Sequence, residues 1–364
     1  AYGLEVKERA AYEFNAMDMG NVLHGGLEQF ARQIRQENLE WTELSREQME
    51  KIADQCVEQV LARYGNTVLN SDARNAYMVN RVKRIMQRTV WALAKQIELG
   101  KFHPSRFEVS FAMADSLESV NIALSEEEQM KLKGRIDRVD ICEDEEHVYV
   151  KVIDYKSGNT SFDLVALYYG LQLQLVLYLN AAMELEQKNH PDKQVVPAGI
   201  FYYNIKDPVV DYVEEEGEEG LYNRILKQLR MNGVASADKT VLELMDKNLE
   251  KNGSSALSVP VSIKRDGNLA KTSSAVSEEQ FRLISGYVNH KIREIGRRIL
   301  DGETKAAPYE MGQKNGCQYC PYKGACGFDE KKGSSRYRRL AAMKPQEIWE
   351  KMSRQMENPV DKEV

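Results

Sequence analysis

The stretch Leu132–Lys156 reads LKGRIDRVDICEDEEHVYVKVIDYK, and it decides the fold class that the sequence predicts. Apolar residues alternate with other residues in both of its halves, a period of two that is typical of strands with one buried face. The acidic turn Glu143–Glu146 separates the halves, so the stretch is interpreted as an antiparallel hairpin. One face of the second strand carries Val148, Val150, Val152, Asp154 and Lys156.

Each strand of this hairpin places a carboxylate on its apolar face. Asp154 follows three valines, and Asp137 shares its face with Val139 and Ile141. Burying a carboxylate without a partner is costly, so such a group is usually paired with a cation or bound to a metal. The purely structural interpretation is an ion pair between Asp154 and Lys156, or a strand end that reaches water.

The same pattern also suits metal-assisted hydrolysis of a phosphodiester. The oxygens of Asp137 and Asp154 are of the kind that Mg²⁺ and Mn²⁺ prefer as ligands. The metal would lower the pKa of a bound water and offset negative charge in the transition state. Lys156, two residues after Asp154, would orient the nucleophile or stabilise the developing charge.

The segments around the hairpin predict an α/β or α+β fold with a mixed central sheet flanked by helices. Helical spacing predicts an N-terminal helical region of about a hundred residues, which includes Met49–Tyr64 and Asn75–Leu99. The remaining predicted elements are a strand at Phe107–Phe111, a helix over 164–187, a strand over 198–204 and a helix over 278–300.

Composition excludes several classes of protein. The 364-residue chain has 29% charged residues and no apolar run of about 18 residues, so no membrane-spanning helix is expected. Five cysteines are too few for a disulfide-stapled secreted scaffold. No secretory signal is visible, so a cytoplasmic location is expected. The sequence also lacks the pattern G-x-x-x-x-G-K-[ST] of a P-loop ATPase.

The net charge of −6 does not by itself exclude a nucleic-acid partner. Acidic residues are concentrated at 143–146 and 214–219, whereas basic residues gather on the helix Arg74–Lys95 and in the tail 331–344. Such basic segments could follow a phosphate backbone. A solvated helix face and a solubilising tail are the alternative interpretations.

The hairpin and the helix after it resemble the RecB/AddB branch of the PD-(D/E)XK nucleases. The resemblance rests on Gly134–Asp140 (GRIDRVD), on Asp154–Gly158 (DYKSG) and on Gln172–Gln174 (QLQ) with Tyr178. It implies a restriction-endonuclease-like core and a Mg²⁺- or Mn²⁺-dependent deoxyribonuclease, with exonuclease action expected. It also implies a DNA partner and an AddA-type helicase–nuclease subunit, in a bacterial complex that processes double-strand breaks for recombinational repair.

The resemblance implies that Asp137 and Asp154 bind the metal and that Lys156 is catalytic. It also implies an upstream histidine ligand in the pattern G-x-x-x-H-x-x-L-E, which Gly20–Glu28 (GNVLHGGLE) matches. A single helical histidine is more often structural or exposed, but within this pattern His24 becomes the third expected metal ligand.

A glutamine and a tyrosine on the next helix support the site in this branch, as the resemblance implies. Gln174 and Tyr178 fit this pair because residues four apart share a helix face, and Gln172 is the less suitable substitute. Glu108 is a further acidic candidate, but it alternates with polar Ser110, so an ordinary polar strand residue is the preferred interpretation.

Three cysteines form the spacing C-x2-C-x5-C, at Cys317, Cys320 and Cys326. In a chain without signs of secretion, this spacing indicates zinc or iron–sulfur ligands rather than disulfides, and both kinds of site require four ligands. Cys56 and Cys142 are better explained as structural residues, and His147 is a weaker alternative.

The resemblance implies a [4Fe–4S] cluster, held by these three cysteines and a fourth cysteine well upstream of the nuclease core. The fourth cysteine precedes a segment like Tyr2-Gly3-Leu4 and would fall just before Ala1. We therefore expect the chain as given to bind a cluster weakly or not at all.

The expected organisation is a nuclease core over 1–210, with a helical part at 1–100 and the catalytic hairpin and helix at 130–190. The polar, Gly/Ser-containing range 211–280 is interpreted as an insertion. The range 281–345 would form a C-terminal helix, the cysteine-bearing cap and the basic tail, and 346–364 a terminal tail.

Two other interpretations remain. The chain would be a DNA-binding or scaffold module if its nuclease site were vestigial, although the intact set of Asp137, Asp154 and Lys156 argues against decay. It would alternatively be a free-standing exonuclease of the same superfamily, with no partner subunit.

Overall fold

The structure is a computed structural model, and it describes residues 16–63, 73–111, 117–332 and 336–357. Tyr2-Gly3-Leu4, the segment used to place a fourth cluster cysteine, lies outside these residues. A sheet of mixed strand direction and flanking helices make up the fold, so the predicted α/β class is confirmed.

In chain order the strands are β1 (His103–Ser110), β2 (Asn121–Ala123), β3 (Gln129–Lys131), β4 (Arg135–Glu143), β5 (His147–Lys156), β6 (Gln194–Asn204), β7 (Asn232–Ser236), β8 (Ala275–Val276), β9 (Tyr309–Met311), β10 (Lys314–Asn315) and β11 (Arg338–Arg339). The α-helices are α1 (Ala16–Gln36), α2 (Arg46–Arg63), α3 (Ala73–Glu98), α4 (Leu164–Tyr168), α5 (Gln174–Asn189), α6 (Gly217–Gln228), α7 (Lys239–Met245), α8 (Glu278–Leu300) and α9 (Pro345–Glu357). Within the described residues, no helix combines the length and the apolar character that a membrane crossing needs.

The described residues form two compact units, each made of several chain segments. The first unit draws on Ala1–Val109, Arg135–Ser161 and Asn189–Val276, and the second on Ser110–Gly134, Phe162–Lys188 and Ser277–Val364. The boundaries expected from the sequence follow chain order instead, and they stay a prediction.

A six-stranded sheet with the order β1-β4-β5-β6-β7-β8 forms the first unit's centre. The hairpin β4–β5 is antiparallel, β5 and β6 are parallel, and β6 and β7 are antiparallel. Strands β7 and β8 come from the range 211–280, so the segment interpreted as an insertion supplies one edge of the sheet. The sequence did not reveal them because both are short and pair with strands that are distant in the chain.

Helices α1, α2 and α3 bury their apolar faces in the core of the first unit. The periodic residues Leu23 and Phe30 are almost completely buried, and they belong to one hydrophobic cluster with Tyr155 of β5. Because side chains alternate along a strand, Asp154 and Lys156 point to the other face of β5.

In the second unit, the single helix predicted over 164–187 is wrong in its extent, because the segment Tyr169–Leu173 divides it into α4 and α5. Gly170 has φ +81°, a left-handed conformation that ends a helix and favours glycine. The Leu171 N–H donates a 2.8 Å hydrogen bond to the Ala166 carbonyl, which closes the end of α4.

The C-terminal part of the second unit is also more regular than expected. Helix α8 begins with a capping box in which Ser277 and Gln280 bond each other's backbone N–H groups. The range 346–364, interpreted as a tail, contains most of α9, whose Ile348 and Met352 are fully buried.

Candidate active site

The hairpin places Asp137 and Asp154 side by side. Arg138 pairs with Ile153 in the antiparallel register, so the next residues on the two strands are the two aspartates. Asp137 is 9% exposed and Asp154 is 2% exposed. The shared face that alternation predicts for these carboxylates is therefore present.

Lys156 lies at the end of β5 and pairs with Asp154. The Lys156 Nζ is 2.5 Å from Asp154 Oδ2 and 5.6 Å from the centre of the Tyr202 ring. The side chain is 30% exposed, so its ammonium group is accessible to a substrate while Asp154 orients it. Between these two residues, the Tyr155 backbone N–H donates a 2.7 Å hydrogen bond to Asp137 Oδ2.

Helix α1 brings His24 to the same carboxylate. The His24 Nδ1 is 3.5 Å from Asp137 Oδ2. One helical turn earlier, Gly20 faces the loop after Lys156, and a Cβ on this glycine would lie only 2.9 Å from Ser157 Oγ. The glycine of the G-x-x-x-H pattern therefore allows the close approach of α1 to this loop.

Glu108, which sequence reasoning set aside, is also at the site. A carboxylate oxygen of Glu108, a ring nitrogen of His24 and a carboxylate oxygen of Asp137 all lie within 4.8 Å of one another. Strand β1, which carries Glu108, is the neighbour of β4, and Arg135 of β4 forms an ion pair with the Glu108 carboxylate.

The expectation that Glu108 is an ordinary polar strand residue is wrong, because only 8% of its side chain is exposed. Its φ is +50°, in the left-handed region that few non-glycine residues occupy. This conformation interrupts the regular alternation of β1, so the comparison with Ser110 could not locate the side chain. No local sequence signal announces such a backbone conformation.

The carboxyl groups of the site bind protons more tightly than usual. Burial raises the pKa of Asp137 to about 6. Burial and the neighbouring charge of Asp137 raise the pKa of Asp154 to about 6 and that of Glu108 to about 7. Burial lowers the pKa of His24, which favours the neutral imidazole that can bind a metal.

These residues fit a divalent metal ion. Imidazole nitrogen and carboxylate oxygen form a donor set suited to Mn²⁺ and, with added water, to Mg²⁺. The buried oxygens Glu108 Oε2 and Asp154 Oδ2 accept no hydrogen bond of normal geometry from a described residue, although Arg135 and Lys156 lie beside them. The three-residue group contains Glu108, whereas the ligand set expected from the sequence contains Asp154 in its place.

In the second unit, Gln174 and Tyr178 pair with each other on α5. The Gln174 Nε2 donates a 2.7 Å hydrogen bond to Tyr178 Oη, and the Tyr178 ring packs edge-on against Phe111 at 5.6 Å between ring centres. The contact expected from their spacing is formed, and its supporting role stays a prediction. Gln172 instead accepts a 2.9 Å hydrogen bond from the Asp163 N–H, just before α4.

The cysteines of the C-x2-C-x5-C motif follow β10 in a series of turns. Cys326 is exposed, and Cys317 and Cys320 are partly exposed. Within the part of the chain that the structure describes, their sulfur atoms do not form a group of three within 4.8 Å, so their role as cluster ligands stays a prediction. Cys56 and Cys142 are buried, as expected.

Comparison with known proteins gives one family match and a set of relatives with a common name. The model of the PD-(D/E)XK nuclease superfamily matches residues 1–327. An ATP-dependent helicase/deoxyribonuclease subunit from Lachnoclostridium phytofermentans is 38% identical over 354 residues, which cover 96% of this chain and 29% of that protein. Proteins of the same name from Thermoanaerobacter sp. (strain X514) and Clostridium acetobutylicum are 34% and 35% identical, covering 99% of this chain and 31% of each relative.

The chain thus spans about a third of the length of the curated relatives it matches, with 29% to 31% of each covered. The family match covers both the α1 pattern that carries His24 and the hairpin that carries Asp137 and Asp154. The chain therefore belongs to the PD-(D/E)XK nuclease superfamily, as its motifs imply.

Proposed function

We propose that this chain is a divalent-metal-dependent deoxyribonuclease module that hydrolyses phosphodiester bonds in a single DNA strand. The observation that carries the proposal is the convergence of His24, Glu108 and Asp137 beside the Asp154–Lys156 pair. Membership of the nuclease superfamily supports the type of reaction.

Each residue has a distinct part in this proposal. A bound Mg²⁺ or Mn²⁺ would supply a water of lowered pKa and offset charge on the phosphate. His24, Glu108 and Asp137 would hold the ion, with Asp154 next to Asp137. Lys156, oriented by Asp154, would donate hydrogen bonds to the phosphate oxygens as charge develops.

Two further assignments rest on the resemblance. Gln174 and Tyr178 would support the catalytic residues, and their mutual hydrogen bond would fix the amide orientation. Cys317, Cys320 and Cys326 would contribute three ligands to a [4Fe–4S] cluster whose fourth ligand comes from outside this chain.

The relatives' printed name suggests the biological setting. We propose that the chain acts as the nuclease part of an AddB-type helicase–nuclease subunit, in the bacterial cytoplasm. An AddA-type partner would deliver the single strand, and hydrolysis would trim DNA ends for recombinational repair. This assignment is supported by relatives that match almost the whole chain at 34% to 38% identity.

The test is Mn²⁺- and Mg²⁺-dependent degradation of linear single-stranded DNA. We expect activity in the wild type, none with a chelator, and a loss of about 100-fold or more in Asp154→Ala and Lys156→Ala. Arg265→Ala, a change at an exposed turn residue, is the control and should retain activity. Equal activity in all variants, or none in the wild type, would favour the vestigial scaffold instead.

A second substrate tests the exonuclease assignment. Circular single-stranded DNA has no ends, so an exonuclease leaves it intact while it degrades the linear form. Equal degradation of the two forms would instead identify an endonuclease. Both measurements use the same preparation and the same metal, so the metal site is not a variable.

A further inference from the structure

Helix α3 carries basic and aromatic residues at intervals of three and four along one face. The residues on this face are Arg74, Tyr77, Arg81, Arg84, Arg88, Trp91 and Lys95. Trp91 is buried against Leu226 and Leu229, and the Arg88 guanidinium lies 5.6 Å from its ring centre. The C-terminal half of the face is therefore largely used within the fold.

The N-terminal half of the same face is exposed. The Tyr77 side chain is 61% exposed, an unusual state for a large aromatic group. Arg81 is exposed and forms no ion pair with any residue in the described ranges. Arg84 is also exposed, and its Nε is 2.7 Å from Asp207 Oδ2. We call Tyr77, Arg81 and Arg84 the α3 face.

A short segment connects the α3 face to the catalytic end of β5. The Ile205 N–H donates a 2.7 Å hydrogen bond to the Lys156 carbonyl. Asp207, only two residues later, binds Arg84 and lies 3.6 Å from Arg88. Two residues of extended chain span at most about 7 Å, so this side of the α3 face lies close to the strand end that carries Lys156.

The chemistry of the α3 face selects among partners. Guanidinium groups bind phosphate oxygens with two parallel hydrogen bonds, and an exposed tyrosine ring offers a surface for base stacking. A duplex presents phosphates but keeps the faces of its bases stacked inside. A single strand presents both, so it uses all three residues of the α3 face.

We propose that the α3 face is a docking surface for single-stranded nucleic acid, which it holds beside the Lys156 end of β5. The proposal deepens the function proposed above and rests on it only for the fate of the docked strand. Arg81 and Arg84 bind backbone phosphates, and Tyr77 stacks on a base.

The test measures binding apart from hydrolysis. Fluorescence anisotropy with a labelled single-stranded oligonucleotide is recorded in the presence of a chelator, which removes the metal. Arg81→Ala should make the slope of log K against log salt shallower by about 0.7. Tyr77→Ala should weaken binding about fivefold or more, with a smaller effect on a duplex. Arg265→Ala, an exposed arginine outside the α3 face, should bind like the wild type.

Hydrolysis with metal added then separates this inference from the proposed function. Tyr77→Ala and Arg81→Ala should slow cleavage of single-stranded DNA but leave cleavage of bis(p-nitrophenyl) phosphate unchanged, because this small diester cannot reach the α3 face. Single-strand binding without any hydrolysis would refute the proposed function and uphold the docking surface. Wild-type affinity and salt dependence in both variants would overturn the docking surface, whatever the activity.

Discussion

The backbone N–H of Tyr155 donates a hydrogen bond of 2.7 Å to the Oδ2 of Asp137. The donor belongs to the residue between Asp154 and Lys156, so one main-chain bond fixes the spacing of three candidate catalytic side chains. The bond favours the ionised form of Asp137, but burial opposes it more strongly and raises its pKa to about 6. The site therefore holds Asp137 in place while keeping a cation favourable there.

Substitution of Gly20 should impair the site through geometry. In Gly20→Ala the new Cβ would meet Ser157 Oγ at 2.9 Å and push the loop that follows Lys156. We expect nuclease activity to fall about tenfold or more, since displacements of about 1 Å have large effects on catalysis. The melting temperature should change little, because alanine is the better helix former.

The double variant Gly20→Ala/Ser157→Ala provides the control for this steric argument. It removes the hydroxyl, and the next contact of the new Cβ is Ser157 Cβ at an ordinary 3.5 Å. Activity should return to the level of Ser157→Ala alone. A double variant as inactive as Gly20→Ala would show that the clash is not the cause.

Removal of Glu108 tests whether it is a metal ligand. Glu108→Gln keeps the shape of the side chain but loses the charge, and we expect Mn²⁺ affinity to fall about tenfold, a loss typical of weakened metal sites. Asp137→Asn should cause at least as large a loss. Isothermal titration of the chelator-treated chain measures both, without reference to activity.

The matched control for Glu108 is Asp144→Asn, which changes an exposed acid in the hairpin turn. It should leave Mn²⁺ affinity unchanged. Wild-type affinity in Glu108→Gln, combined with weak binding in Asp137→Asn, would remove Glu108 from the ligand set.

Stability of the metal-free chain should depend on pH through the buried carboxyl groups. The pKa values of Asp137 and Asp154 are raised from 3.8 to about 6, and that of Glu108 from 4.5 to about 7. Between about pH 4 and pH 7 the folded chain thus retains protons that the unfolded chain has released. The free energy of unfolding therefore falls as pH rises through this window.

The neighbouring charges qualify the size of this effect but not its sign. Lys156 and Arg135 already favour the ionised carboxylates, and the lowered pKa of His24 opposes the trend near neutral pH. We expect a decrease of a few kcal/mol, since one pKa unit corresponds to about 1.4 kcal/mol. Thermal unfolding at pH 5 and pH 8 measures it.

Two comparisons isolate the site in that experiment. The double variant Asp137→Asn/Asp154→Asn should show a smaller decrease, and Mn²⁺ should raise the melting temperature of the wild type more at pH 8 than at pH 5. The same pH dependence in the wild type and the double variant would locate the effect elsewhere.

A buried ionic group behind the site should be important for stability. Asp140 accepts hydrogen bonds of 2.5 and 2.9 Å from Arg138 and lies 3.0 Å from Lys151 Nζ, and all three are buried. Asp140→Ala would leave two buried cations without their partner. We expect a loss of about 3–5 kcal/mol in the free energy of unfolding, measured by urea denaturation.

An exposed ion pair serves as the comparison for Asp140. Glu50 lies 2.9 Å from Arg46 one turn away on α2, and Glu50→Ala should cost about 0.5 kcal/mol or less. Losses of similar size in the two variants would contradict the argument from burial.

Much of the site could be predicted from the sequence because its signals are local. Alternation on adjacent strands of a hairpin determines which residues share a face, so Asp137, Asp154 and Lys156 were expected together and lie together. The i, i+4 spacing likewise anticipated the hydrogen bond between Gln174 and Tyr178. A helical period over the first hundred residues was sufficient to predict α1, α2 and α3.

Other features were decided only by the tertiary structure, since they depend on contacts between distant segments. Strands β7 and β8 are too short to show a period and exist by pairing at the sheet edge. Glu108 joins His24 and Asp137 through a left-handed backbone angle and the placement of β1 beside β4. Alternation within a strand describes a chain in regular conformation, and it cannot report where that regularity is interrupted.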